Sequence, residues 1–217
     1  MSNLFTNWFS VNGFRTWKLV TPMDYFFFGV LVVGGLLLLW LATRFLAGKR
    51  TPEKAIARSA RKLKKLGGKG AACYERIHLN AGEDSLDADL ILAAEDGVYI
   101  AKVYHWGYHV NGAMSDEKWI FDCGPRDAKK LPNPMPQLNQ SCSAMRRILT
   151  QEKAGKVPVK PLVIFAENYT NTVFRLKNVS CAWSYRDLKK WRELHPIEAN
   201  SKVDVAAVKA AIEKYLK

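Results

Sequence analysis

From Tyr25 to Thr43 the chain reads YFFFGVLVVGGLLLLWLAT, without one charged residue, and then breaks into lysine and arginine. A run of this length matches the about 20 apolar residues that a helix needs to cross the hydrocarbon core of a bilayer. In lipid, backbone amides can be satisfied only within the segment itself, so such a run is helical. The expectation is a transmembrane helix over 25–46, preceded by a short extracytoplasmic N-terminus at 1–24. The run starts late, has no basic leader directly before it and no small-x-small site behind it, so it does not read as a cleaved signal. Everything after it is read as a domain tethered to a membrane.

The flanks orient it. Ahead lie Arg15 and Lys18, with Asp24 at the edge; behind come Arg44, Lys49, Arg50, Lys54, Arg58, Arg61, Lys62, Lys64, Lys65 and Lys69 against one acid, Glu53. Basic residues near a span stay cytoplasmic, which predicts a single-pass protein of the cell membrane with the N-terminus out and the C-terminal domain in the cytoplasm. This juxtamembrane stretch supplies more than half of the formal net charge of +13. Three readings compete for it. It fixes orientation, or it is drawn to anionic lipid, or it holds nucleic-acid phosphates, with Arg58, Arg61, Lys62 and Lys65 as the candidate binding residues in either of the last two cases.

The remainder, from Lys49 to Lys217, has the size of one ordinary domain and is long enough to bury a core without disulfides. Cys73, Cys123, Cys142 and Cys181 are widely separated and form no C-x-x-C pair, so neither zinc nor a redox dithiol is indicated. Four free thiols fit a reducing compartment. The sequons at Asn139, Asn168 and Asn178 carry meaning only on the extracytoplasmic side. No P-loop, H-E-x-x-H or G-x-S-x-G string occurs, which leaves nucleotide hydrolysis, zinc proteolysis and serine hydrolysis without support.

Thr51-Pro52-Glu53 starts a helix, with an N-cap threonine, a proline at the first helical position and an acid in the first turn. Ile56, Ala57, Ala60 and Leu63 form its apolar stripe, and Gly67-Gly68 ends it, giving a basic juxtamembrane helix within 49–70. Strand character follows at 72–79, at 88–94, at 98–104 after the hairpin signal Asp96-Gly97, and at 118–122 after a turn near Asn111-Gly112. A helix begins at Pro136, with Leu138, Cys142, Met145, Ile148 and Leu149 on one face. PLVIFA at 161–166 is continuously apolar, as in a strand buried on both faces. Short strands at 171–176 and 179–183 and helices at 185–194 and 203–216 close the chain. The pattern predicts an α/β domain at 71–217, with a mixed central sheet flanked by helices.

The order of these elements, with Asp87-Ala88-Asp89-Leu90-Ile91-Leu92, Asp96-Gly97-Val98-Tyr99-Ile100, Trp119 and Asn133-Pro134-Met135-Pro136-Gln137, resembles the nuclease-related domain, or NERD, family. That family looks like a distant branch of the PD-(D/E)xK nucleases, so the resemblance implies a restriction-endonuclease-like fold. It also implies Mg²⁺ as the cofactor of an active member, held by carboxylates on neighbouring strands with a glutamine on a later helix. Asp89 matches the strand aspartate, Glu53 the acid of the first helix and Gln137 the glutamine. Asp89 and Glu53 are therefore the metal ligands if the domain is active.

The E-x-K is missing. Counted without gaps from Asp89, its positions hold Lys102 and Tyr104; shifted by one they hold Ala101 and Val103; anchored on Lys102 as the motif lysine, the carboxylate position is Ile100. An ammonium at a ligand position repels the ion that catalysis needs, and Mg²⁺ already dehydrates reluctantly. The set Asp89, Gln137 and Lys102 thus reads as a degenerate site in a module that binds nucleic acid or a partner without cutting and holds no cofactor. An active nuclease with a carboxylate relocated to Asp87, Glu75 or Glu95, and a membrane scaffold without a nucleic-acid role, remain as alternatives. His105-Trp106-Gly107-Tyr108-His109 reads as a strand with its aromatic side on the core, or else as a base-stacking patch.

Overall fold

The computed structural model describes residues 22–46, 51–81, 84–105, 109–122, 128–166, 173–197 and 203–216. The chain forms two compact units, Met1–Lys49 and Arg50–Lys217. Helix α1, Pro22–Leu46, is the described part of the first. Among its described side chains, Leu36 is 62 % and Leu38 69 % exposed. Among the described residues no helix is long and apolar enough to cross a membrane.

In the second unit, helix α2 covers Pro52–Leu66, and the Thr51 hydroxyl accepts the Lys54 N–H at its start. Its buried side is Ala55, Ile56, Ser59, Ala60 and Leu63, whereas Ala57 is only half-buried and lies at the edge of the stripe. The strands are β1 (Ala72–Ala81), β2 (Asp84–Ala94), β3 (Gly97–Tyr104), β4 (His109–Ala113), β5 (Lys118–Asp122) and β6 (Ala128–Pro132). After helix α3 (Pro134–Gln151) come β7 (Val159–Phe165), β8 (Val173–Lys177) and β9 (Ala182–Ser184), then helices α4 (Leu188–Leu194) and α5 (Val205–Tyr215).

A single central sheet was the expectation; there are two. One has the order β1-β2-β3-β7-β9, the other β6-β5-β4-β8, and each mixes antiparallel with parallel pairs. β4 and β6 escape a sequence reading because β4 (HVNGA) buries only Val110 and β6 (AKKLP) buries nothing fully, so neither shows a period of two. Asn111-Gly112, expected as a turn, lies inside β4. The glycine is needed there for contact rather than for turning, since a Cβ at Gly112 would come 2.5 Å from Cδ1 of Trp119. The hairpin turn likewise falls one residue early, on Glu95–Asp96. Gly97 already pairs with Ala94, and its φ of +140° brings it against the Pro158 carbonyl, which accepts the Val98 N–H at 2.8 Å.

The five-stranded sheet is covered on both faces, which is why VYIAKVY and PLVIFA read as unbroken apolar runs. Val98 and Ile100 pack with α3, α5 and the second sheet's Val110, Trp119 and Phe121; Tyr99, Ala101 and Val103 pack with α2 and α4. The alternation slips once. Leu86 and Ala88 of β2 join the α3 side, and beyond Asp89 it is Ile91 and Ala93 that do so. Arg76, which would face Asp89 across the β1–β2 register, has φ +53° at the same point. A left-handed non-glycine residue opposite a shifted strand marks a local break in the ladder.

Candidate functional site

Asp89 sits at that break. The β2–β3 ladder ends at the pair Leu90–Ala101, and beyond it the Asp89 side chain takes over the bonding. Its Oδ2 accepts the Val103 N–H at 2.8 Å, and its Oδ1 lies 3.2 Å from the Lys102 ammonium. Lys102 is therefore in contact with the carboxylate. Tyr104 is close enough that burial first, and the Asp89 charge second, push its phenol up to about 12.

Glu53 stands in the first turn of α2, fully exposed, and its carboxylate meets Arg76 at 2.9 Å. Its acid is held below the usual carboxylate range by its own backbone N–H, then by the Thr51 hydroxyl, with Arg76 a smaller cause. His105, just past β3, is lowered by burial; Glu53 opposes that shift and Lys129 adds to it. Of the other sequence candidates, Gln137 is exposed in the first turn of α3, and among the described hydrogen bonds none joins it to Asp89. Asp87 pairs with His78 across the β1–β2 ladder, and Glu95 accepts the Lys69 N–H in the loop after α2. Glu75 is exposed on β1, opposite Leu90. Trp106, Gly107 and Tyr108 lie outside the described residues; His109 opens β4 and faces Asp122.

This donor set does not fit a divalent ion. Such an ion needs several oxygen ligands with free lone pairs and net negative charge around them. Here each of the two carboxylates of the expected pair is engaged by a cation, Asp89 by Lys102 and Glu53 by Arg76. Among the described residues no group of three or more His, Cys, Asp or Glu side chains is placed to hold a metal.

Several working residues gave no signal in the sequence. Arg76 is one, since nothing marks a lone arginine for a left-handed position. Asn133 of the N-P-M-P-Q string proves to be a clamp: its Oδ1 accepts the Met135 N–H to cap α3, while its Nδ2 donates to the carbonyls of Met114 and Asp116 between β4 and β5. Asp96 of the hairpin meets Arg192 of α4 at 2.9 Å with both side chains almost wholly buried, and it accepts the Tyr99 hydroxyl.

The basic helix forms a second feature. Arg58, Arg61, Lys62, Lys64 and Lys65, with Tyr185 from the turn before α4, line an open groove of about 710 Å³. Arg58 and Lys62 lie over the Tyr185 ring at 5.0 and 4.4 Å, a cation–π geometry. Lys62 also donates to the Tyr185 and Arg186 carbonyls, and burial lowers its ammonium pKa against the pull of nearby Asp187.

The domain is mixed α/β, with Asp89 where β2 and β3 part, facing Lys102 of the next strand. The family model of the nuclease-related domain matches residues 50–166, just over half of the chain, and the chain belongs to that family. A relationship to the PD-(D/E)xK nucleases is consistent with that membership. No curated protein and no solved structure matches the chain.

Proposed function

We propose that this protein is a single-pass, membrane-anchored nuclease-like module that engages a phosphate-bearing polyanion or a partner at the cytoplasmic face without cutting it. The observation that carries the non-cleaving part is the contact between Asp89 and Lys102. An ammonium already pairs with the strand aspartate of the family pattern, in the place where a metal would have to stabilise developing charge. The anchor is supported by the chemistry of α1, in which no charge falls between Asp24 and Arg44 and Leu36, Leu37, Leu38 and Leu39 are exposed. The orientation rests on the ten basic residues behind the uncharged run against two ahead of it.

Two experiments test this reading. The purified chain, incubated with DNA or RNA and Mg²⁺ or Mn²⁺, is expected to leave the substrate intact, as is Asp89→Asn. Cleavage by the wild type that Asp89→Asn abolishes would show an active site with a relocated ligand. An alkaline phosphatase fused after Lys217 is expected to be inactive in cells, and an active fusion reverses the topology.

A further inference from the structure

The groove beside Tyr185 has no part in the chemistry at Asp89. The apolar side of α2 packs on the sheet face that carries Leu90, Leu92, Tyr99 and Ala101. Lys102 alternates with Ile100 and Val98, and so belongs to the opposite face. The groove also lies toward the C-terminal half of α2, whereas Glu53, paired with Arg76, stands at its N-terminal end. It is nonetheless built: five cations and one aromatic ring line it with no carboxylate among the lining residues, and two of the cations are held against the ring. Along the chain, this helix follows α1 after only the residues between Leu46 and Pro52.

We infer that the groove formed by Arg58, Arg61, Lys64, Lys65 and Tyr185 is a docking surface for the anionic phospholipid headgroups of the membrane that holds the protein. Charge complementarity carries the choice of ligand, because a cluster of basic residues directly after an apolar helix is attracted to acidic lipid, by about fivefold in affinity per residue. The tyrosine fits the same boundary, since amphipathic rings favour the headgroup layer. The inference rests on the membrane anchor proposed above.

The test uses the full chain in vesicles of phosphatidylcholine alone and of phosphatidylcholine mixed with phosphatidylglycerol, probed with an amine-acylating reagent and read by mass spectrometry. Acylation of Lys64 and Lys65 should fall about fivefold in the acidic vesicles and recover in high salt, as screening requires. The exposed Lys118 and Lys156, on β5 and after α3, serve as controls and should not change. Arg58→Gln combined with Arg61→Gln, which leaves both reporter lysines in place, should reduce the protection. Equal labelling of Lys64 and Lys65 in both vesicles by a chain that has entered the bilayer overturns the inference. So does protection by a double-stranded oligonucleotide in neutral vesicles with none from phosphatidylglycerol, which would give the groove to nucleic acid. A chain that fails to enter either vesicle refutes the anchor itself, and that failure is seen separately by flotation.

Discussion

Replacing Asp89 by alanine distinguishes a carboxylate used by the fold from one held ready for a metal. Two interactions are lost. The Val103 N–H, at a residue only 7 % exposed, loses its acceptor at 2.8 Å, and an unpaired buried donor costs about 1–3 kcal/mol. The contact with Lys102, whose side chain is 37 % exposed, is screened by solvent, and such pairs contribute about 0–1 kcal/mol. Asp89→Ala should therefore destabilise the second unit by about 2–3 kcal/mol, since the backbone bond outweighs the ion pair. With a urea slope of about 2 kcal/mol per molar, the midpoint should drop by about 1–1.5 M. Buried Trp119 and Trp191 report this unfolding by fluorescence. Lys102→Ala should cost less than about 1 kcal/mol in the same assay. A neutral or stabilising Asp89→Ala would refute the reasoning, because sites kept for a ligand are strained at the expense of stability and relax when the ligand-binding side chain is removed.

Other outcomes follow from the packing and the titrating groups. Trp119 is fully buried and donates its indole N–H to the Ala113 carbonyl, so Trp119→Ala should cost about 3–5 kcal/mol and loosen β4 and β5 together, seen as faster amide exchange there. Gly97→Ala puts a Cβ 2.4 Å from the Pro158 oxygen at a φ of +140°; it should lower stability by about 1–3 kcal/mol in thermal denaturation. Burial pushes the thiols of Cys73 and Cys142 up to about 12 and about 11, above the ordinary 9.0. The unfolded chain then releases these protons first, so stability should hold below pH 9 and fall from pH 9 to about 12 as measured by urea midpoints. The same thiols should resist iodoacetamide at pH 8 until the fold is opened.

The elements with a strong period were legible in the sequence, and the weak ones were not. α2 announced itself through Thr51-Pro52 and the spacing of Ile56, Ala60 and Leu63, and β3 and β7 through their apolar runs. β4 and β6 carry too few buried residues to show alternation, and Gly112 looked like a turn because the reason for that glycine is the Trp119 ring, a contact local sequence does not reveal. In the candidate site, Asp89 and Lys102 were identified from the family pattern, and their spacing already placed the lysine where a carboxylate is wanted. What lay beyond the sequence was partnership. That Glu53 would turn to Arg76 depends on a left-handed residue in β1, and that Lys62 would tie α2 to the turn before α4 depends on a contact between residues far apart in the chain.

Cations of the protein itself occupy the charges a metal would need, and direct measurement of ion binding tests this without recourse to activity. Mn²⁺ titrated into the purified full chain, with the free ion followed by electron paramagnetic resonance, should show no saturable site that distinguishes the wild type from Asp89→Asn. A saturable site present in the wild type and lost in Asp89→Asn would contradict the account, because the Asp89 carboxylate would then have to leave Lys102 to bind the ion.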